Sequence, residues 1–352
     1  MEEERQGTQS QGIATLEFKD PILSRPQPWL ATKIGVENYR ILRALVKNPI
    51  SVAGILIILF FVFVAVAAPV LAPPFPNRDP YRIPRDGFRP EPQPPMAEWR
   101  SKRQPPLPFW WRTVTGKDKW VHLMGTASGQ WDLYYGVVWG TRTAFRVGLI
   151  ITASVVLLGV IIGSISGYYG GPIDNVLQRI TDIFMTFPFL LAALTLSAIL
   201  TPRIGKGIYP AMVAMVAFGW MSYTRLIRGD VMSVKSRDYV LAARALGVKD
   251  KRIIVRHVLP NAIYPTLVVA SMDVGSYVLS FAALSFLGVG AEVGYADWGQ
   301  LLSFARDWIS QLTTYWYIVF WPGIALVFFV LGWNLVGDAI RDVMDPQMRG
   351  ES

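Results

Sequence analysis

Few side chains in this chain could do chemistry. There are two histidines, His122 and His257, no cysteine, and one carboxylate, Asp273, inside a long apolar run in the stretch ASMDVGS. The lack of cysteine excludes disulfides, thiolate metal sites and cysteine nucleophiles. No GxSxG nucleophile elbow and no GxxxxGK[ST] phosphate loop occurs. The sequence therefore offers no activated nucleophile and no nucleotide site, and neither a cofactor nor a metal is expected. Asp273 is different, because a carboxylate at membrane depth is costly unless it faces a cavity or a polar partner. It reads either as part of a substrate or cation pathway or as a buried, hydrogen-bonded structural group.

The elements that must position these groups are apolar. The 352 residues are 52% hydrophobic and only 17% charged, with a mean hydropathy of +0.34, a membrane-protein composition. Windows free of charge and long enough to cross the hydrocarbon as helix run between Lys47 and Arg78, Arg146 and Asp174, Asp182 and Arg203, Lys206 and Arg225, and Asp307 and Asp338. A further window from Val258 to Ala291 is broken only by Asp273. These predict an all-α membrane protein with six transmembrane helices. Lys and Arg crowd the segment before the first window and the loop after the fourth, which places both termini in the cytoplasm. The same distribution explains the net charge of +9 without nucleic-acid binding. The two histidines then fall on opposite sides of the membrane, so they cannot pair within one chain. The polar N-terminus, MEEERQGTQSQGIATLEFKD, lacks the layout of a cleaved signal peptide.

Along the chain, 1–48 reads as a cytoplasmic tail ending in a short amphipathic helix around NYRILRALVKNP, 49–72 as the first span, 73–143 as an external loop, 144–340 as a membrane core, and 341–352 as a cytoplasmic tail. The external loop is rich in proline, as in APPFPNRDPYRIPRDGFRPEPQPP, which predicts extended, irregular backbone. Its tryptophans suggest an interfacial belt and a structured cap; Trp110, Trp111 and Trp120 are candidates for docking a soluble partner. GVIIGSISGYYGG spaces small residues so that helix backbones can approach closely. Pro188 in MTFPFLL predicts a kink within the third span.

Between the fourth and fifth windows lies DYVLAARALGVKDKRIIVRHVLPN, residues 238–261. Tyr239, Ala242, Ala243 and Leu246 follow i, i+3, i+4, i+7 and define one helical face, and Gly247 ends that helix as a C-terminal cap would. VKDKRIIVRHVLP resumes as a helix up to Pro260. On composition alone such a basic element could rest on lipid phosphates.

The spacing points further. The stretch resembles the EAA loop of permease subunits in ATP-binding-cassette importers: Ala242 and Ala243, three residues, Gly247, nine residues to His257, then Leu259 and Pro260. RHVLPN is similar to the dipeptide, oligopeptide and nickel branch of that family, as are RALVKNPISVAGILIILFFVFVAVAAPVLAP, GTRTAFRVGL, ITDIFMTFPFLL, LSFLGVG, DWGQLL and PGIALVFFVLGWNLVGDAIRDVMDP. Three departures stand out: Leu241 occupies the first acidic position of the motif, GTASGQWD replaces the fuller family pattern at 125–132, and Phe281 stands near a usual glutamate. The resemblance implies an ABC type I importer permease fold carrying a long proline-rich external loop. It also implies a multi-pass subunit in the cytoplasmic membrane of a prokaryote, paired with a second permease subunit as a heterodimer, two ATP-binding-cassette ATPase subunits and an extracytoplasmic substrate-binding protein, all in contact with membrane lipid. Tyr239, Ala242, Ala243, Arg244, Gly247, His257, Leu259 and Pro260 would meet the ATPase, and ATP hydrolysis would reside outside this chain. Peptides are the default cargo, with nickel and oligosaccharides open. The rival is an ATP-independent secondary transporter or channel, which would need its own coupling-ion site at Asp273.

Overall fold

A tight N-cap opens the first helix. The computed structural model describes residues 48–344, so the tail and the amphipathic helix expected over 1–48, apart from Asn48, and most of the C-terminal tail lie outside the described residues. The Asn48 side chain accepts from the Ile50 amide at 3.0 Å, and Pro49 fills the first helical position of α1, Pro49–Leu71. This helix is apolar all round and exposes Leu56, Leu59, Phe60, Phe63 and Val66, as lipid contact demands.

The proline-rich stretch that follows folds into a packed cap. Two short antiparallel ribbons, β1 (Ala97–Glu98) with β2 (Val121–His122) and β3 (Thr126–Ala127) with β4 (Trp131–Asp132), frame the small helix α2, Trp111–Thr115. Proline removes backbone donors, so regular ladders stay short and indole rings supply the core instead. Trp111 and Trp120 are wholly buried and stack with their centroids 4.3 Å apart. Their N–H groups donate to the Lys119 carbonyl at 3.0 Å and to Asp132 Oδ2 at 2.9 Å.

Asp132 also caps the central element, α3, a 37-residue helix over Leu133–Tyr169. At 1.5 Å per residue it is about 55 Å long, with the cap at its N-terminal end. Its later half packs closely along α6, Ile208–Val234. A Cβ placed on Gly167 would lie 2.7 Å from the Arg228 carbonyl, and Cβ atoms on Gly159 and Gly163 would press still closer on Tyr223, Thr224 and Ile227. The small-residue spacing thus does what the sequence suggested.

Between these partners run α4, Gly171–Met185, and α5, Phe189–Ile204, which meet at 84°. The kink expected at Pro188 is a full break, with Pro188 at the N-cap of the second helix. Among the described residues, four helices are long and apolar enough to cross a membrane: α1, α3, α10 (Tyr264–Phe286) and α13 (Tyr317–Met344); the bent pair makes a fifth if taken as one span. The remaining window of the six falls in α6, which is long enough at 27 residues but less apolar. Its Ala211, Ala214, Met215, Tyr223, Thr224, Ile227 and Val231 are buried against protein, and a helix that faces other helices needs less apolar surface than one facing lipid.

Short helices link the long ones: α7 (Asp238–Ala245), α8 (Asp250–Ile253) and α9 (Leu259–Ala262) between α6 and α10, and α11 (Trp298–Ser303) beyond α10. A 3-10 turn over Phe304–Gln311 and the single turn α12, Leu312–Tyr315, lead into α13.

Candidate functional site

Residues 238–262 form a two-part element at the end of the bundle opposite the cap. Asp238 lies in the first turn of α7, where a negative charge suits the helix dipole. At its other end Gly247 adopts φ 74°. The Gly247 amide donates to the Arg244 carbonyl at 3.0 Å and the Val248 amide to the Ala243 carbonyl at 3.2 Å, the paired bonds of a Schellman stop. The second part starts at Asp250 and widens into a π-turn over Ile254–Val258, where the Leu259 amide reaches back five residues to Ile254. Pro260 accounts for the wide turn, since it cannot donate to the carbonyl four residues before it and would crowd it.

One face of the element is buried. Val240, Ala243, Ile253, Val258 and Ala262 pack with Val160, Tyr168, Ile227 and Val231 on α3 and α6. The sequence period grouped Tyr239, Ala242, Ala243 and Leu246; only Ala243 of these goes inward, and the residue missed was Val240, one turn before it. Tyr239, Leu241 and Ala242 stay exposed, Leu246 is 83% exposed and Val255 58%. Arg244 and Pro260 are exposed, whereas His257 and Leu259 are half-buried. An apolar strip at the tip of a basic element is therefore open.

Charged groups tie this end together. Tyr168, in the last turn of α3, donates its hydroxyl to Asp250 Oδ1 at 2.7 Å, and the Arg244 guanidinium lies 5.4 Å from the Tyr168 ring centroid. Lys235 Nζ donates to the carbonyls of Gly167 at 2.6 Å and Tyr168 at 3.1 Å. Arg228 grips Asp174 in a bidentate pair, both contacts 2.6 Å, and Asp182 pairs with Arg225 at 2.5 Å. In mid-bundle, half-buried Asp273 accepts the Tyr223 hydroxyl at 2.6 Å.

At the cap end, His122 is fully buried between two carboxylates: its Nδ1 is 2.6 Å from Asp132 Oδ2 and its Nε2 3.3 Å from Asp86 Oδ2. Burial pulls the imidazole pKa down, but the hydrogen bonds and charges of Asp132 and Asp86 together outweigh it and hold the ring above its ordinary value. Burial likewise pushes Asp86 up, and is overcome by bonds from His122, the amides of Arg100 and Ser101, and Gln93, so its carboxyl stays well below the usual range. With both ring nitrogens engaged, His122 has no free lone pair for a metal, and no metal-binding cluster occurs among the described residues. His122 and His257 sit at opposite ends of α3. Of the three tryptophans read as docking candidates, Trp111 and Trp120 have no exposed surface and Trp110 is half-buried; they build the cap's interior, while Phe88, Met96, Phe109 and Val114 are among the apolar side chains it exposes.

Crossed apolar helices, a packed cap at one end and a two-part element between two long helices at the other make this a multi-helix membrane protein. The chain belongs to the family of binding-protein-dependent transport system inner membrane components, which matches residues 159–350. Residues 39–106 match the N-terminal TM domain of oligopeptide transport permease C. The chain is 33% identical over 307 residues to the dipeptide transport system permease protein DppC of Alkalihalophilus pseudofirmus, covering 87% of this chain and 89% of that one. It is 35% identical over 228 residues to the oligopeptide transport system permease protein OppC of Bacillus subtilis, covering 65% and 72%. A solved structure described as inward facing conformations of the MetNI methionine ABC transporter shares the fold with a TM-score of 0.50 and 17% identity, over 60% of this chain and 97% of that one.

Proposed function

We propose that this permease forms one half of the translocation pathway of an ATP-driven peptide importer in a prokaryotic cytoplasmic membrane, with both termini cytoplasmic. Its partners are a second permease subunit, two ATPase subunits and an extracytoplasmic binding protein. Peptide cargo is favoured by the names of its relatives. The observation that carries the coupling role is the open strip of Tyr239, Ala242 and Leu246 on an element whose other face is locked into the bundle. Apolar side chains held out on a rigid mount suit a groove on a soluble partner. Asp273, with Ser276 and Ser280 along the same side of α10, lines the pathway.

The test is co-purification and hydrolysis. Leu246→Glu should strip the ATPase subunits from the complex, because a charge would enter an apolar groove. Gly247→Trp, which loads a bulky side chain onto a backbone at φ 74°, should leave ATP hydrolysis running without uptake. Full assembly and normal uptake in both variants would refute the coupling role.

A further inference from the structure

Residues 238–262 leave α6 and enter α10 through the backbone, so any push on the element reaches those two helices directly. The longest helix, α3, has no such covalent link to it. The side-chain polar contacts from this element to α3 converge on Tyr168: its hydroxyl donates to Asp250 at 2.7 Å, 82 residues away in sequence, and Arg244 bears on the same hydroxyl. Tyr168 is also 4% exposed, within the apolar cluster that contains Val240, Ala243 and Ile253. Its ring carries the Arg244 guanidinium at 5.4 Å.

Arg244 lies in α7 and Asp250 begins α8, so the single phenol holds both arms of the Gly247 turn. One arm is held through the ring face and the other through a charge-assisted hydrogen bond. Lys235, nearby, bonds the carbonyls of Gly167 and Tyr168, but it belongs to the end of α6 and does not reach either arm. We infer that Tyr168 is a positioning residue that sets the angle of the Gly247 turn and passes displacement of the 238–262 element into α3, so that three helices rather than two respond to the ATPase. This inference rests on the coupling role proposed above.

The experiment uses the intact importer, purified with its ATPase subunits into nanodiscs, and follows amide hydrogen exchange in residues 160–169 and 238–262 with and without a non-hydrolysable ATP analogue. Tyr168→Phe keeps the ring and its burial, and with them the ring face under Arg244, while deleting the hydroxyl and its contacts to Asp250 and Arg244. In the natural protein both segments should change exchange on adding the analogue. In Tyr168→Phe the change should persist at 238–262 and shrink at 160–169 by on the order of tenfold, the scale set by one hydrogen bond to a charged group. Asp250→Asn alone, which keeps an oxygen acceptor for the Tyr168 hydroxyl, should largely retain the change at 160–169, and Asp250→Ala combined with Tyr168→Phe should be no worse than either alone. A purely structural role would raise exchange with and without nucleotide alike and leave the nucleotide-dependent difference intact; that result, or an absence of change at 160–169 in the natural protein, overturns the inference. No nucleotide response at 238–262 in the natural protein would instead overturn the coupling role on which it stands.

Discussion

Replacing glycine by alanine should have opposite effects at two positions of the same helix pair. At Gly163 on α3 a new methyl would meet the Thr224 carbonyl and the Ile227 methyl closer than the 2.7 Å that separates a Cβ on Gly167 from the Arg228 carbonyl, where ordinary contact begins at 3.4 Å. A backbone carbonyl inside a helix cannot rotate away, so α3 and α6 must part. Overpacking of this kind costs about 1–3 kcal/mol, and the upper part of that range applies where backbone is struck. Alanine returns about 1 kcal/mol through its better helix propensity. The net expectation for Gly163→Ala is a loss of about 1–2 kcal/mol. Gly229 on α6 has nothing within 4 Å of its Cβ position, so Gly229→Ala should keep only the propensity gain of about 1 kcal/mol. Thermal unfolding of the purified chain in one detergent should place the two variants on either side of the natural protein, Gly163→Ala lower by about 1–4 °C (about 1–2 °C per kcal/mol at this size). If Gly163→Ala proves as stable as Gly229→Ala, the close approach of α3 and α6 is refuted.

Asp297, buried at the N-cap of α11, accepts from the Gln300 amide at 2.9 Å; burial, only partly offset by its hydrogen bonds, pushes its carboxyl up to about 6. A raised acid stabilises the fold most below its unfolded pKa near 4 and loses that contribution as pH rises through about 6, a change of about 3 kcal/mol. Asp297→Asn keeps the cap without the titration, so its advantage over the natural protein in melting temperature should be full at pH 7 and fall to about a third of that at pH 4.5; an equal gap at both refutes it. His122→Phe would strand two buried carboxylates at a cost of about 3–5 kcal/mol, and trypsin should then cut quickly at Arg100, Lys102 or Arg103. Because the folded-state pKa of His122 is raised, the triad's contribution is complete below about pH 6.5 and fades as pH rises through that folded value, so protection from trypsin in the natural protein should weaken in alkali while His122→Phe shows no such trend. Trp111→Ala removes a fully buried, stacked indole and should open the cap by about 3–5 kcal/mol while the helical circular dichroism of the bundle persists; unchanged cap proteolysis would contradict the packing described.

The apolar windows, the Gly247 stop and the close glycine spacing were legible because each depends on residues within a turn or two of one another. A membrane span is announced by its own composition, and a Schellman stop by one glycine after one helical period. The family resemblance of 238–261 had the same local basis. The proline-rich stretch was harder to read: its prolines keep ladders to two residues a strand, yet proline content says nothing of where Trp111 and Trp120 will stack.

By itself, then, the sequence determined that this chain lives in a membrane, that its long segments are helices, and that a rigid, basic, glycine-hinged element joins two of them. Tertiary structure alone decided that Val240 rather than Tyr239 turns inward, that Pro188 makes an 84° break rather than a kink, that Asp86, His122 and Asp132 form one buried triad, and that Tyr168 meets Asp250. Each of these depends on which helix faces lie against one another, and a period of 3.6 residues shows that a face exists without naming its partner. Contacts between residues tens of positions apart are set by the shape of the packed bundle, a property of all the helices together.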